Sequence, residues 1–439
     1  MKPAKAKKAL LSSIQEITDY KWLYSARPGR DNTRARKLPF ESVISAILGF
    51  GSGTLHHELL DFCQFDPNLP TSTAFIRRRA TILPEAFETL FRSFTGKLCE
   101  NAKHGEMPFL AADGSDLRIC ANPNDPDSYF PGTNGQKHYN LLHLNALYDL
   151  NSHLYMDAVV QKRMKADESA ALTAMVDRSD IPKALLIADR GYEAYNNLAH
   201  IQEKGWYFLI RLRRGAHGMT SGFDLPDEEE FDIPFCLNLT RKQSKEAKML
   251  CRDRNHYKCL PASSRFDFLP KKTSMHDPAT FYTLRFRIVR FRISESTCET
   301  IITNLDANKF PVSEIKKIYA MRWGIETSFR KLKFILGLLY LHAKKAEFIL
   351  QEIFAKLTMY NFCEAITQSV VVQQSKRKYA YQVSFSDAAH ICMQFFRRKL
   401  APAKVEALLM RFISPIRPGR KNARRLVPKH SVSFVYRVA

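Results

Sequence analysis

From Met107 onward the sequence becomes a series of short apolar runs that end in polar turns: PFLAADG, YNLLHLNALYDL and HLYMDAVVQ. Runs of this kind read as strands, and their short connections make them antiparallel neighbours. The rhythm then changes. DESAALTAMVDR is helical, KALLIADRGY is a buried-looking strand, AYNNLAHIQEKG is a helix and WYFLIRLR another strand. Neighbouring strands followed by alternating helix and strand specify a mixed α/β sheet with helices available for both faces.

Around this centre the chain divides by pattern. Residues 1–105 hold short helices, among them SSIQEITDYKWLYSA, PFESVISAILGF, HHELLDFCQF and PEAFETLFRSFTGKL, punctuated by Gly and Pro. Within that stretch, LPTSTAFIRRRATI offers Ser72 or Thr73 as a helix cap ahead of Arg77, Arg78 and Arg79. Those arginines suit phosphate contacts or, equally, a solvated basic turn. Residues 214–300 interrupt the α/β rhythm with an acidic stretch, a basic stretch and the alternating YTLRFRIVRFRISE, which suggests strands with a cationic face. Pro311 and Ser313 then open a helix expected to run to about Leu339, with EFILQEIFAKLTMYNFCEAI packed behind it. The last stretch is helical and then strongly basic, ending RPGRKNARRLVPKH.

Charge narrows the partners. Lys and Arg outnumber Asp and Glu by 67 to 44, a net charge of +23, which points to a polyanion. The 45% hydrophobic content excludes a disordered basic chain. No apolar run reaches the ~18 to 20 residues a membrane span needs, and MKPAKAKKALLSSIQE lacks a secretory cleavage pattern. Nine scattered cysteines without a Cys-x-x-Cys pair fit a reducing, cytoplasmic setting. Cys251, His256, Cys259 and His276 are a conceivable zinc set, although their spacing matches no strong pattern.

Asp113 closes the run FLAAD and Asp189 the run ALLIAD, so two carboxylates stand at the ends of neighbouring strands, half of a metal site. Asp before Gly is also an ordinary turn residue. At ~100° per residue from Tyr319, Arg322 falls near ~300°, Lys333 near ~320° and Glu326 near ~340°. These four polar residues share one stripe beside the apolar arc of Ile318, Ile325, Phe329, Leu332 and Leu336, which sets Glu326 facing a cleft next to the core. A solvated stripe of mixed charge is the other reading, since Arg322 and Glu326 form an ordinary i,i+4 pair.

The run YAMRWGIETSFRKLK, with Tyr319, Arg322, Glu326 and Lys333 spaced Y-x-x-R-x-x-x-E-x-x-x-x-x-x-K, resembles the YREK signature of DDE transposases from bacterial insertion sequences. ADGS at 112–115 and ADRGY at 188–192 are similar to that family's first and second aspartate motifs, and TNLD at 303–306 to the segment before its third. The likeness covers about 107–365.

The resemblance implies a ribonuclease H-like α/β core, a mixed sheet with flanking helices, in two parts at 106–213 and 301–375 around a β-rich insertion at 214–300. Outside the span of the likeness, the pattern and charge of the chain give a helical DNA-binding region at 1–105 and a basic helical C-terminal region at 376–439. Asp113, Asp189 and Glu326 would be catalytic and hold two Mg²⁺ ions, with Mn²⁺ able to substitute, while Tyr319, Arg322 and Lys333 contact DNA phosphates. Two such ions ~3.5–4 Å apart activate a water or 3′-hydroxyl and stabilise the leaving oxygen. The implied partners are double-stranded DNA with terminal inverted repeats and target DNA, bound by a homodimer that pairs two ends in the bacterial cytoplasm, on the nucleoid. No membrane is implied.

Some members hold an extruded base against a Trp of the insertion, yet Trp22, Trp206 and Trp323 all lie outside 214–300. Phe281, Tyr282, Phe286 and Phe291 are either substitutes for it or core residues. Asp116 competes with Asp113 as first ligand. A catalytically lapsed, domesticated DNA-binding protein and a metal-dependent nuclease without a joining step are the alternative functions.

Overall fold

The computed structural model describes residues 1–417 apart from 35–36, 101–106, 133–136, 214–217, 272–279, 296, 375–377 and 398–399. His276 and the basic tail after Arg417 lie outside the described residues. β1 (Phe109–Ile119), β2 (Tyr129–Phe130), β3 (Tyr139–Asp149) and β4 (Leu154–Lys162) form an antiparallel group in which β3 lies between β1 and β4. β5 (Leu185–Ala188) and β6 (Tyr207–Arg211) add in parallel on the far side of β1. The order β4-β3-β1-β5-β6, three antiparallel strands and then two parallel, is the ribonuclease H-like mixed sheet expected from the sequence.

The strands of 214–300 continue that sheet. β7 (Phe231–Thr240), β8 (Tyr257–Cys259), β9 (Tyr282–Ser294) and β10 (Thr297–Thr303) follow β6 in the order β10-β9-β7-β8, giving ten strands in all. Thr303, Ile302 and Ile301 pair with Leu209, Ile210 and Arg211, so β6 has no unpaired edge. In β9, Leu284, Phe286, Ile288 and Phe291 are buried, which makes Phe286 and Phe291 core residues. The cationic face is only partial: Arg285 is exposed, whereas Arg287 is buried, donates to the Leu305 carbonyl at 2.9 Å and pairs with Asp232.

Helices cover both faces. The N-terminal region folds as α1 (Pro3–Asp19), α2 (Phe40–Gly49), α3 (Leu55–Phe62), α4 (Ser72–Arg79) and α5 (Glu85–Glu100). Thr71 caps α4, accepting from the Ala74 amide at 3.1 Å, one residue earlier than expected. Between the sheet strands lie α6 (Glu168–Asp177), α7 (Tyr195–Glu203) and α8 (Lys245–Leu250). After β10 come α9 (Val312–Met321), α10 (Trp323–Arg330), α11 (Ala346–Thr367), α12 (Phe385–Phe396) and α13 (Pro402–Arg411). α11 is buried along almost its whole length and packs against α2, α5, α12 and β4, and its buried Gln351, Glu352, Lys356, Asn361 and Glu364 are each hydrogen-bonded.

Strand alternation divides the core. Leu110, Ala112, Leu186 and Ala188 join the α6 and α7 side, whereas Ala111, Leu185 and Ile187 join the side of α5, α9, α10 and α11. Both sheet faces are therefore dry, the usual condition of parallel strands. Arg79 departs from the phosphate-contact reading. It is 2% exposed and donates to Gln351 at 2.6 Å and Glu352 at 2.8 Å, tying α4 to α11.

Candidate active site

β1 and β5 pair in parallel up to Ala112 opposite Ala188. Asp113 and Asp189 are the next residues, so their carboxylates leave neighbouring strands at one level. The chain does not turn at Asp113: β1 continues to Ile119 against β3, and only its pairing with β5 stops. Asp189 keeps extended backbone, φ −82° and ψ 174°. Period-two alternation then sends both carboxylates towards the side on which α9 and α10 pack.

α9 and α10 bring Tyr319, Arg322 and Glu326 to that side. The expected uninterrupted helix has two irregularities. It tightens at Arg322, where the Arg322 amide bonds to Tyr319 and the Ile325 amide to the Arg322 carbonyl. It widens over Lys331–Ile335 into a turn closed by the Leu336 amide on the Lys331 carbonyl. Uniform 100° steps therefore misplace Lys333 relative to Glu326. Lys333 instead reaches β1, its Nζ 2.8 Å from Ser115 Oγ and 2.7 Å from the Asp116 carbonyl.

Arg322 is the electrostatic centre of the group. Only 4% exposed, it donates to Glu326 Oε1 at 3.2 Å. Burial works against its charge, while Tyr319, Asp189, Glu326 and Asp113 favour it, and the net effect holds it charged. Burial pushes Asp113 up to about 6, aided by Glu326 and Glu168 and opposed by the Gly114 amide and Arg322. Burial also raises Tyr319, which is 5% exposed, and lowers Lys333.

Several polar atoms here are buried without a hydrogen-bond partner: Asp189 Oδ1, the Tyr319 hydroxyl and Arg322 Nε. Such atoms carry a desolvation cost that a bound cation or phosphate removes. Among the described residues, no three His, Cys, Asp or Glu side chains are placed to hold a metal ion together. That applies equally to Cys251, His256 and Cys259 of the conceivable zinc set.

The structure adds residues the sequence did not single out. Arg211 on β6 stands 3.7 Å from Asp189 and 3.5 Å from Glu299 on β10. A cavity of about 250 Å³ beside them is lined by Arg190, Arg211, Arg213 and Glu299. Trp323, 56% exposed, carries the Arg322 guanidinium 4.9 Å from its ring. Asp116 is engaged elsewhere, 2.6 Å from His143 Nδ1 and 3.0 Å from Arg163 Nε. The signal for Arg211 and Glu299 was the pairing of β6 with β10, which single-chain patterning does not reveal.

A family model described as "Transposase DDE domain" matches residues 104–362, more than half of the chain. The chain belongs to that family. This transposase is 23% identical over 408 residues to the transposase InsG of insertion sequence element IS4 from Escherichia coli (strain K12), covering 88% of this chain and 82% of the relative. It is 20% identical over 334 residues to the transposase of insertion sequence element IS231E from Bacillus thuringiensis subsp. finitimus, covering 69% and 67%. Among solved structures, the piggyBac transposase synaptic complex with hairpin DNA aligns over 96% of this chain and 87% of that one, with TM-score 0.44 and 10% identity. As a DDE transposase of insertion-sequence type, the chain acts on DNA. No helix among the described residues is long and apolar enough to cross a membrane.

Proposed function

We propose that this transposase cuts and rejoins DNA at the ends of its element by metal-dependent phosphodiester chemistry, with Asp113, Asp189 and Glu326 as the acting carboxylates. The observation that carries the reading is the register of Ala112 with Ala188, which brings Asp113 and Asp189 to one level on the side where Glu326 stands. An anionic, all-oxygen donor set suits Mg²⁺, with Mn²⁺ as substitute. The buried Oδ1 of Asp189, which accepts no hydrogen bond and has Arg211 no nearer than 3.7 Å, supports a cation there. Two such ions, when bound, supply a polarised oxygen nucleophile on one side of the phosphorus and charge stabilisation for the leaving oxygen on the other.

Arg322 stands between carboxylate and phosphate. A phosphate offered to its guanidinium competes with Glu326 for the same donors, and the unbonded Nε completes a bidentate contact. Glu326 then becomes available as a ligand. Tyr319 adds an unbonded hydroxyl to the same phosphate, and Lys333 a point charge above β1.

The N-terminal helices fit a more distant part of the DNA. A cleft of about 1000 Å³ there is lined by Arg27, Arg30, Arg34, Lys37, Arg77 and Arg78 against a single acid, Asp31. This supports a DNA-binding role for 1–105, with Arg77 and Arg78 in it and Arg79 outside it. A homodimer follows from a reaction that must bring two ends together.

The experiment is incubation of the protein with duplex DNA carrying the element's terminal repeats and a target duplex, in Mg²⁺. Strands joined to target are expected. Cleavage without joining would establish a nuclease instead, and binding without cleavage a lapsed, domesticated DNA-binding protein.

A further inference from the structure

One more acid reaches the ends of β1 and β5, from the α6 side of the sheet. Glu168 opens α6, directly after Asp167, whose carboxylate caps the helix by accepting from the Ala170 amide at 2.9 Å. Its side chain lies over the glycines of both aspartate motifs. A Cβ on Gly114 would stand 3.3 Å from Glu168 Oε1, and a Cβ on Gly191 3.4 Å from Oε2. Gly114 follows Asp113 directly, and Gly191 comes two residues after Asp189. Glu168 therefore spans the same two strand ends as the two aspartates, and its charge is felt at Asp113.

The carboxylate is held in place by a chain of charged groups. His143, 4% exposed on β3, sits 3.1 Å from Glu168 Oε1 through Nε2 and 2.6 Å from Asp116 through Nδ1. Arg163 closes the chain, 3.0 Å from Asp116. The buried His143 Nε2 has Glu168 as its partner at ion-pair distance. The ring fits only because residue 114 has no side chain, since a Cβ there would lie 2.3 Å from Nε2. A buried imidazole between two acids is an expensive way to fill space, and carboxylates that serve a metal are themselves oriented by outer partners of this kind.

We propose that Glu168 is a fourth carboxylate of the metal site, binding a water in the shell of a divalent cation, with His143 and Asp116 as positioning residues behind it. This rests on the reading of Asp113 and Asp189 as metal ligands. An acid reaching the cation through water tunes affinity and orientation without entering the inner donor set, which matches its place over the glycines rather than beside Arg322.

The test is Mn²⁺ binding, measured by electron paramagnetic resonance on full-length wild type, Glu168→Gln and Asp189→Asn, with thermal melting and DNA affinity recorded in EDTA. Glu168→Gln is expected to bind Mn²⁺ about 10–100-fold more weakly while its melting and metal-free DNA binding follow the wild type. Mn²⁺ affinity within about twofold of wild type in Glu168→Gln, with Asp189→Asn impaired, overturns this proposal alone. Wild-type affinity in Asp189→Asn overturns the ligand reading beneath it. Should Glu168→Gln fail to fold, Glu168→Asp keeps the charge facing His143 but shortens its reach, and the same loss of Mn²⁺ affinity is expected.

Discussion

Asp113 and Asp189 each stand one residue beyond Ala112 and Ala188, the last registered pair between two parallel strands. Neighbouring strands lie about 4.8 Å apart, so this register alone brings two carboxylates within reach of shared cations. Burial and the like charges of Glu326 and Glu168 push Asp113 up to about 6, while the Gly114 amide and the charged Arg322 pull it down.

Gly114 is held to glycine by contact. A Cβ there would lie 2.3 Å from Nε2 of the buried His143 ring, on the strand that pairs with β1. Gly114→Ala is expected to destabilise the protein by about 1–3 kcal/mol, the usual cost of overpacking. Urea denaturation measures it, and a neutral result would show that Gly114 is only a permissive strand residue.

Arg79 joins the N-terminal helices to α11 through Gln351 and Glu352 in a site where all three are buried. Removing Arg79 leaves the buried Glu352 charge with the donors of His342 alone. Arg79→Ala is therefore expected to cost about 3–5 kcal/mol. A loss below about 1 kcal/mol by denaturant unfolding would place Arg79 on the surface with Arg77, contrary to the structure.

Glu352 gives the same junction a dependence on acid. Burial raises it, but the Arg79 guanidinium and the donors of His342 prevail and hold it at about 2, below its ordinary 4.5. A depressed folded-state value means the stabilisation is complete above 4.5 and is lost as pH falls from there towards about 2. Stability profiles across that window are expected to slope downward with acid in wild type and to flatten in Glu352→Gln. An equal slope in both would remove Glu352 from the account.

The sequence showed some of this directly. FLAAD and ALLIAD are apolar runs ending in an acid, and a strand carries that pattern into three dimensions without help from distant residues. Glu326 was visible because its spacing from Tyr319, Arg322 and Lys333 lies within one helix. What stayed hidden depends on register between distant segments. His143 meets Asp116 only because β1 pairs with β3, and Arg211 meets Glu299 only because β10 closes on β6. Arg79 and Arg287 read as basic surface, since no local pattern distinguishes a solvated arginine from one whose partners are more than a dozen residues away. The tightened turn at Arg322 and the widened one at Lys331–Ile335 were equally beyond a uniform helical count.

The most direct test of the account is single-turnover cleavage of terminal-repeat DNA in Mg²⁺ by wild type and by Asp113→Ala, Asp189→Ala, Glu326→Ala and Asp116→Ala. The first three are expected to lose about 10²–10³-fold or more of the rate, since each removes a carboxylate that positions the cations. Asp116→Ala, whose carboxylate faces His143 and Arg163, is expected to stay within about 10-fold of wild type, as an orienting residue. Abolished cleavage in Asp116→Ala alongside retained cleavage in Asp113→Ala would contradict the assignment.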